Sequence, residues 1–491
     1  LVAQPSSATQ PSSATQPLYT VVCELWAAGR LADCAERRTG IRSVRIRQEP
    51  HPVAGEYFCI EVNGEPIFCK GGNWVPADML YAAVDRERYR ALIDRAVAAN
   101  FNTLRIWGGG LYVDHDFLEL CDEAGIMVWH DCIFACSRYP GGDAAFLANV
   151  RNEITYVVRG LSPHPSLLVW CGNNEIEWGD WEWGYDATRA MPDYALFHLE
   201  IPRILRREDP SRPYWPSSPY SPDQQTPNSP LLGDQHPWHV SIGENGPNYW
   251  AYRGDVSRFP NEGGALGCSS PATLRQFLPE NERHYLSPSW EYHDNEIAQH
   301  ADGWMSEDWF AYWLGIEPAT LSLEDYAYYS GALQAEALVE YANNFRRRMW
   351  SSASAIFWMY NDSWPVTHGW TIVDYYLRRK LAYHPVRRAF DPLQIIPAIE
   401  GDEVLVYGVN DTFIPWSGEA RFGALRLDGA ERREWTASAE LAPNAATLVG
   451  RFALDEWRQL GTTTALAYAT LWQGAHLLRQ NRLLLARHKE L

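Results

Sequence analysis

A repeated alternation of strand-like, loop and helix-like segments between residues 67 and 390 constrains the fold of this chain most strongly. Helices are predicted over residues 85–99 and 114–124, because apolar residues recur about every 3.6 positions after an acidic first turn. A longer helix is predicted over residues 323–349, with a basic cluster at its end. Short apolar runs predict eight strands, at residues 67–70, 103–107, 126–129, 167–171, 214–217, 231–234, 258–261 and 355–359.

Eight strand–helix units over about 320 residues are typical of a (β/α)8 barrel with insertions, a TIM barrel, which we predict for residues 66–391. A doubly wound sheet is the structural alternative. Such a sheet usually carries a glycine-rich phosphate turn after an early strand, and Gly108-Gly109-Gly110 lacks the spacing of that turn.

The segments on either side of this region have different patterns, so the chain is predicted to be multidomain, α/β plus all-β. Residues 1–17 repeat a Ser/Pro-rich hexapeptide and are predicted to be disordered. Residues 18–65, with strands at 19–26 and 41–47, are too few for a sandwich and are predicted to be the remnant of an immunoglobulin-like β-sandwich. Residues 392–491 predict a C-terminal β-sandwich with strands at 404–409, 419–425, 447–454 and 465–472.

Composition narrows the class of partner. The net charge of −19 argues against nucleic acid, and no apolar run is long enough to span a membrane. No signal peptide is visible, which predicts a cytoplasmic location, and a homo-oligomer is compatible with the sequence. The 23 tryptophans and 26 tyrosines favour a carbohydrate ligand, because aromatic rings stack on the apolar faces of sugars. No cofactor is indicated.

Two glutamates follow predicted strands at positions where barrel enzymes carry their chemistry. Glu175 comes after the fourth strand and Glu262 after the seventh. Two carboxylates about 5–5.5 Å apart can hydrolyse a glycoside with retention of configuration, one as acid/base and the other as nucleophile. A single strand-end glutamate more often caps a helix or forms an ion pair, so the hypothesis depends on the pair.

The surrounding residues resemble glycoside hydrolase family 2, and within it the β-mannosidase branch. The resemblance covers about 325 residues in the family's order. The matching blocks are residues 71–78 (GGNWVPAD), 105–112 (RIWGGGLY), 120–131 (LCDEAGIMVWHD), 173–175 (NNE) and 358–365 (WMYNDSWP). The nucleophile block departs from the branch, because Asn261 and Gly263 flank Glu262 where a serine and an aromatic residue usually stand. The resemblance also implies a preceding jelly-roll domain that this sequence lacks.

The resemblance implies a role for each matching position. Glu175 corresponds to the acid/base, Glu262 to the nucleophile, and Asn174 to the residue that binds the sugar 2-hydroxyl. The other positions that the resemblance assigns to substrate binding are Trp107, Arg105, His236, Trp238, Trp358 and Asp131. The implied reaction is the removal of terminal β-D-mannose by double displacement through a covalent glycosyl-enzyme, with carbohydrate as the partner.

Several alternatives stay open at this point. The chain could be an exo-β-glucosaminidase or β-galactosidase of the same family, although glucosaminidases typically carry aspartate where Glu175 stands. It could also be a truncated, non-catalytic carbohydrate-binding homologue. A metal hydrolase is a third possibility, with Asp234, His236 and His239 as ligands, but the barrel metallohydrolases' His-x-His after the first strand is absent.

Overall fold

The structure, a computed structural model, describes residues 16–184, 193–223, 225–296, 299–300 and 303–491. It divides into two compact units. The first unit comprises residues up to 236 together with 258–261, and the second comprises residues 237–257 and 262–491. The low-complexity segment predicted at 1–17 falls almost entirely outside the described residues, and the domain boundaries drawn from the sequence stay predictions.

The first unit contains antiparallel strands followed by alternating parallel strands and helices. Its described strands are β1 (Tyr19–Ala27), β2 (Arg30–Thr39), β3 (Val44–Arg47), β4 (Cys59–Val62), β5 (Glu65–Ile67), β6 (Cys69–Trp74), β7 (Thr103–Ile106), β8 (Met127–Asp131), β9 (Leu167–Cys171) and β10 (Tyr214–Trp215). Its described α-helices are α1 (Arg86–Ala98), α2 (His115–Ala124), α3 (Ala144–Leu161), α4 (Ile176–Glu182) and α5 (Ile201–Glu208).

Strands β6 to β10 form the parallel sheet that positions the first unit's functional residues. They lie side by side in chain order, and every pair is parallel. Residues in β7, β8 and β9 are buried throughout, as expected for strands covered on both faces. Asp85 and Asp114 accept hydrogen bonds from the first turns of α1 and α2, which confirms the predicted helix starts.

The antiparallel strands of the first unit form two separate groups. Strands β3, β4 and β5 make a three-stranded sheet. Strands β1 and β2 make a hairpin in which nearly every residue is exposed on both faces. A sandwich strand would bury alternate residues, so the hairpin has the pairing of a sheet without a core beneath it.

One of the predicted strands is wrong in part and two are wrong. The first was predicted at 67–70, but Ile67 ends the antiparallel β5 and the parallel strand begins at Cys69. No strand forms at 231–234 or 258–261. Instead, one isolated bridge joins Tyr220 to Asp234 and another joins Gln235 to Pro260. Gly233 has a left-handed φ of +64° and Pro260 has no N–H, so neither run can continue a hydrogen-bonded ladder.

The second unit contains a helical portion and a C-terminal β-sandwich. Its described α-helices are α6 (Pro271–Phe277), α7 (Pro288–Tyr292), α8 (Met305–Trp313), α9 (Leu323–Arg347), α10 (Tyr383–Ala389) and α11 (Leu454–Arg458). Its described strands are β11 (Gly267–Cys268), β12 (Gln299–His300), β13 (Gly303–Trp304), β14 (Ser354–Phe357), β15 (His368–Gly369), β16 (Leu393–Glu400), β17 (Glu403–Asn410), β18 (Trp416–Arg426), β19 (Arg432–Leu441), β20 (Ala445–Ala453), β21 (Ala465–Gln473) and β22 (His476–Leu483).

The C-terminal sandwich packs a three-stranded sheet, ordered β16-β17-β20, against a four-stranded sheet, ordered β19-β18-β21-β22. Its core draws on both sheets, with Val406, Phe422, Trp457 and Leu471 at its centre. Alternate residues of β21 are buried, which is the period-2 pattern that predicted a strand there.

The predicted helix at 323–349 is also confirmed, as α9. Among the described helices, none combines the length and apolar character needed to cross a bilayer.

Candidate active site

Glu175 stands where the chain leaves β9 and turns into α4. Its backbone is left-handed, with φ +62° and ψ +15°, which is uncommon for a residue with a side chain. Its N–H donates to the carbonyl of Ser218, at 2.8 Å. Asn173, two residues before Glu175, accepts hydrogen bonds from the N–H of Ile176 and the hydroxyl of Ser217. These bonds hold the turn, and the Glu175 carboxyl makes no cap bond to its own helix.

The Glu175 carboxyl group is nearly buried, and His236 and Cys136 contact it in the first unit. Its Oε1 lies 2.7 Å from Nδ1 of His236. The Cys136 thiol donates to its Oε2 at 3.3 Å. His236 is fully buried, and this burial, followed by the charge of Arg105, holds the pKa of the imidazole well below its usual range. His236 is therefore neutral at pH 7, so only one of its nitrogens carries a proton.

The hydrogen-bond partners of His236 determine which of its two nitrogens carries the proton. Its Nε2 lies 2.9 Å from the hydroxyl of Ser218, whose own proton goes to Oδ2 of Asp234. Asp234 also accepts from the N–H of Tyr220 and the Trp215 indole. Burial raises the pKa of Asp234 to about 6, so this carboxylate is ionised at pH 7 and cannot donate.

The hydroxyl of Ser218 can donate only one proton, so the contact at Nε2 of His236 must be an N–H donating to Ser218. Nδ1 is then the unprotonated nitrogen that faces Glu175. In this tautomer, the 2.7 Å contact is a hydrogen bond that a protonated Glu175 donates to Nδ1. The chain Asp234–Ser218–His236 therefore favours a protonated Glu175.

Asn174 is held in one orientation by a buried ion pair beneath it. Nη2 of Arg105 donates to Oδ1 of Asn174 at 2.7 Å and to Oδ2 of Asp131 at 2.8 Å. Because Arg105 occupies the amide oxygen, the Asn174 NH₂ group faces away from it and donates to Sγ of Cys136, at 3.2 Å. Arg105 and Asp131 are both fully buried, so they act on Asn174 and not on a ligand directly.

Trp107 follows β7 and is partly exposed. The triple glycine after it has a steric explanation. A Cβ atom on Gly108 would lie 2.5 Å from the carbonyl of Phe134, and one on Gly109 would lie 2.0 Å from the Trp107 ring. Gly109 therefore leaves room for the indole, and Gly108 allows the carbonyl of Phe134 to approach closely.

Glu262, in the second unit, is also nearly buried. The indole N–H of Trp238 donates to its Oε2 at 3.1 Å. The hydroxyl of Tyr341, on α9, lies 2.8 Å from its backbone carbonyl. Trp238 in turn packs edge-on against Trp370, with ring centroids 5.1 Å apart. An N–H donor stabilises an ionised carboxylate.

The two glycines after Glu262 fit a crowded backbone. Gly263 has φ +104°, and a Cβ there would lie 3.2 Å from both Pro237 and Tyr341. A Cβ on Gly264 would lie 2.2 Å from the carbonyl of Trp358. Only glycine fits both positions without strain, which explains why no aromatic residue follows the glutamate here.

The structure therefore groups the predicted residues within each unit. The first unit places Glu175, Asn174, Arg105, Asp131 and His236 in one hydrogen-bonded network, and the second places Trp238 on Glu262. Asp234 and Ser218 complete the Glu175 network, and sequence reasoning missed their role; Cys136 was also missed. Asp234 stood out only as a possible metal ligand, and both nitrogens of His236 are engaged by other partners.

Comparison with known proteins identifies relatives of most of the chain. Residues 402–490 match the family model of the Mannosidase Ig/CBM-like domain. Beta-mannosidase B of Aspergillus terreus is 33% identical over 411 residues, which are 80% of this chain and 47% of the relative. The enzyme of that name from Aspergillus niger is 33% identical over 395 residues, 77% of this chain and 45% of the relative. The chain thus spans about half the length of the curated relatives it matches.

Two solved structures are also similar to this chain. The β-D-mannosidase of Dictyoglomus thermophilum superposes with a TM-score of 0.89 at 33% identity, over 97% of this chain and 57% of that one. The exo-chitosanase of Amycolatopsis orientalis superposes with a TM-score of 0.71 over 96% of this chain and 54% of that one. At 19% identity, the second likeness shows the fold alone.

Proposed function

Because this chain is a β-mannosidase-like member of glycoside hydrolase family 2, we propose that it is an exo-β-glycosidase that removes terminal β-D-mannose with retention. The observation that carries the proposal is the 2.7 Å contact between Glu175 and Nδ1 of His236. With the proton of His236 on Nε2, this contact favours a protonated carboxyl group on Glu175, which a general acid requires. The (β/α)8 barrel, the carbohydrate partner and the cytoplasmic location predicted from the sequence stay part of the proposal.

The reaction that we propose has two steps. Glu262 attacks the anomeric carbon, and Glu175 transfers its proton to the leaving oxygen, so the glycosidic bond breaks as an ester to Glu262 forms. Glu175, now ionised, then takes a proton from a water molecule. The hydroxide formed attacks the same carbon and releases Glu262 as a carboxylate. Two displacements at one carbon retain its configuration.

The hydrogen bonds around each glutamate support this division of roles. The Trp238 N–H favours an ionised Glu262, as a nucleophile requires. His236 instead accepts the Glu175 proton as a hydrogen bond, and after transfer a donor remains nearby in the Cys136 thiol. The two carboxyl groups thus start the reaction in opposite protonation states.

Asn174 and the aromatic residues supply sugar binding in this proposal. The Asn174 NH₂ group can donate its second hydrogen to the sugar 2-hydroxyl, in an orientation fixed by Arg105. Trp107, Trp238 and Trp358 provide flat faces for the pyranose ring. We assign Arg105, Asp131 and His236, all fully buried, to positioning rather than to direct substrate contact.

We propose mannose as the sugar because two proteins named β-mannosidase are each 33% identical to this chain, over 80% and 97% of its length. The exo-chitosanase is the basis for the second candidate, a β-glucosaminide, but its identity is only 19%. A β-galactosidase and a non-catalytic carbohydrate-binding homologue are further alternatives.

A panel of 4-nitrophenyl β-glycosides tests the proposal. We expect the mannoside to be cleaved fastest, ahead of the glucosaminide, galactoside, glucoside and glucuronide. Proton NMR of the first-formed sugar should show the β-anomer before mutarotation, which reports retention. Release of the α-anomer would overturn the mechanism, and preference for the glucosaminide would overturn the choice of sugar. A folded chain that binds mannose but cleaves no member of the panel would indicate the non-catalytic homologue.

A further inference from the structure

A second group of ionisable side chains lies in the second unit, formed by Asp294, Glu296 and His368. One ligand atom from each side chain lies within 4.8 Å of the other two. Nδ1 of His368 is 4.0 Å from Oδ1 of Asp294 and 3.8 Å from Oε2 of Glu296. The side chains are buried, with exposed fractions of 2% for Asp294, 0% for Glu296 and 2% for His368.

Backbone hydrogen bonds fix the positions of these three side chains. The segment that follows α7 runs beside β15, where the N–H of Asn295 donates to the carbonyl of His368 at 2.9 Å. The N–H of Thr367 donates to the carbonyl of His293 at 3.0 Å. Asp294 and Glu296 flank the first of these bonds, so the cluster is preorganised by main-chain pairing.

Two polar atoms of the cluster lack hydrogen bonds among the described residues. Ser306 donates its N–H to Oε1 of Glu296 at 2.8 Å and its hydroxyl to Oε2 at 3.3 Å, and Oδ1 of Asp294 accepts the N–H of Glu296 at 2.9 Å. Oδ2 of Asp294 and Nδ1 of His368 are buried without a hydrogen-bond partner in the described part of the chain. Leaving buried polar atoms unsatisfied costs about 1–3 kcal/mol each, so such atoms indicate a ligand.

The other face of His368 is arranged as in a metal-binding histidine. Its Nε2 lies 3.1 Å from the hydroxyl oxygen of Ser330, which also accepts the N–H of Cys268, at 3.0 Å. An N–H on Nε2 that donates to Ser330 leaves the lone pair of Nδ1 directed at the two carboxylates. Metal-binding histidines are commonly held by such a bond at the second nitrogen.

We propose that Asp294, Glu296 and His368 bind one divalent transition-metal ion, preferentially Zn²⁺. No arginine or lysine forms an ion pair with either carboxyl group among the described residues, so two buried carboxyl groups face one imidazole. A bound cation would compensate the negative charge of the ionised carboxylates and occupy the unsatisfied atoms. Each ligand atom needs to move by only a few tenths of an ångström to reach typical Zn–N and Zn–O distances of about 2.0–2.2 Å.

The donor set selects among cations. Calcium prefers six to eight oxygen ligands, and magnesium retains several waters, so neither suits a buried set with one imidazole. Zinc accepts imidazole and carboxylate together in four-coordinate sites. This site involves neither Glu175 nor Glu262, so its test is independent of the proposed hydrolysis.

Metal analysis of the purified chain tests this site. After incubation with Zn²⁺ and removal of the excess, we expect about one Zn²⁺ per chain, and a chelator should lower the melting temperature by roughly 2–8 °C. Glu296→Gln and His368→Gln should each lose most of the bound Zn²⁺. Glu291→Gln, an exposed change on α7, is the matched control and should keep it.

The wild-type measurement does not depend on whether the variants fold. Wild-type protein with native circular dichroism, no stoichiometric metal and a melting temperature that Zn²⁺ leaves unchanged would overturn the proposal. So would Zn²⁺ retained in full by both Glu296→Gln and His368→Gln, because the ion would then be bound elsewhere. Binding of Mn²⁺ in preference to Zn²⁺, with the same loss in the variants, would confirm the site and overturn the choice of zinc.

Discussion

The surroundings of Glu175 and Glu262 differ in whether they can exchange protons. Glu175 adjoins a chain of hydrogen bonds through His236 and Ser218 to the ionised Asp234. Glu262 accepts the indole N–H of Trp238, and its backbone carbonyl accepts the hydroxyl of Tyr341. The comparison supports opposite roles, because the contact with His236 favours a proton on Glu175 whereas the Trp238 N–H favours a negative charge on Glu262.

Replacing each glutamate should give the largest effect. We expect Glu262→Gln to lower kcat/KM for 4-nitrophenyl β-mannoside by about 10⁴-fold or more, because no covalent intermediate can form. Glu175→Gln should cost about 10²–10⁴-fold, and less with 2,4-dinitrophenyl mannoside, whose leaving group needs little protonation. The exposed Glu244→Gln serves as control. Equal losses for both glutamates on both substrates would remove the distinction between them.

The next largest effect is expected in the pH dependence of stability, which tests the buried Asp234 near Glu175. The folded-state pKa of Asp234, about 6, lies above its ordinary value of 3.8 because of burial. Its contribution to stability is present in full below pH 4 and is lost as pH rises through 6. The stability of wild type relative to Asp234→Asn should therefore fall by roughly 2–3 kcal/mol between pH 4 and pH 7.5, measured by urea unfolding.

Asp428→Asn is the control for this measurement. Its hydrogen bond with Arg426 lowers the pKa of Asp428 to about 2, so it stays ionised across the range. A constant difference between wild type and Asp234→Asn from pH 4 to 7.5 would contradict the raised pKa, and with it the ionised acceptor at the end of the chain.

Removing one partner from each glutamate should give the smallest effects. His236→Gln removes the acceptor that holds the Glu175 proton, and we expect activity to fall about 10–100-fold with an altered pH profile. Trp238→Phe removes one donor to Glu262 and should cost about 10-fold, with only the acidic limb of the profile moved to higher pH. His239→Gln, a partly exposed position, is the control. A pH profile that His236→Gln leaves unchanged would exclude the proton-holding role.

Local patterns predicted much of this arrangement. Asp85 and Asp114 each precede a segment with helical apolar periodicity, which predicted the helix starts. Glu175 follows a short apolar run, which predicted its place after a buried strand. Both patterns extend over only a few neighbouring residues. The hydrogen-bond chain from Asp234 to Glu175 joins residues that are far apart in sequence: His236 is 61 residues from Glu175 and 18 from Ser218. It also depends on the tautomer of His236. Local sequence patterns reveal neither feature.

The failures of prediction also have physical causes. Apolar runs at 231–234 and 258–261 have the composition of strands, but a left-handed glycine and a proline prevent ladder pairing there. The family resemblance placed Arg105 and Asp131 among the substrate-binding positions. Both side chains are fully buried, and Arg105 donates to Asn174, a contact between distant residues that local sequence does not reveal.

The exposed hairpin of β1 and β2 has a consequence for handling the protein. It displays Tyr19, Leu25 and Trp26 with more than half of each side chain in water, and its outer edges carry unpaired backbone groups. Exposed edges of this kind can pair with strands of another molecule. Charged substitutions in this hairpin should therefore raise the solubility of the protein in concentrated solution.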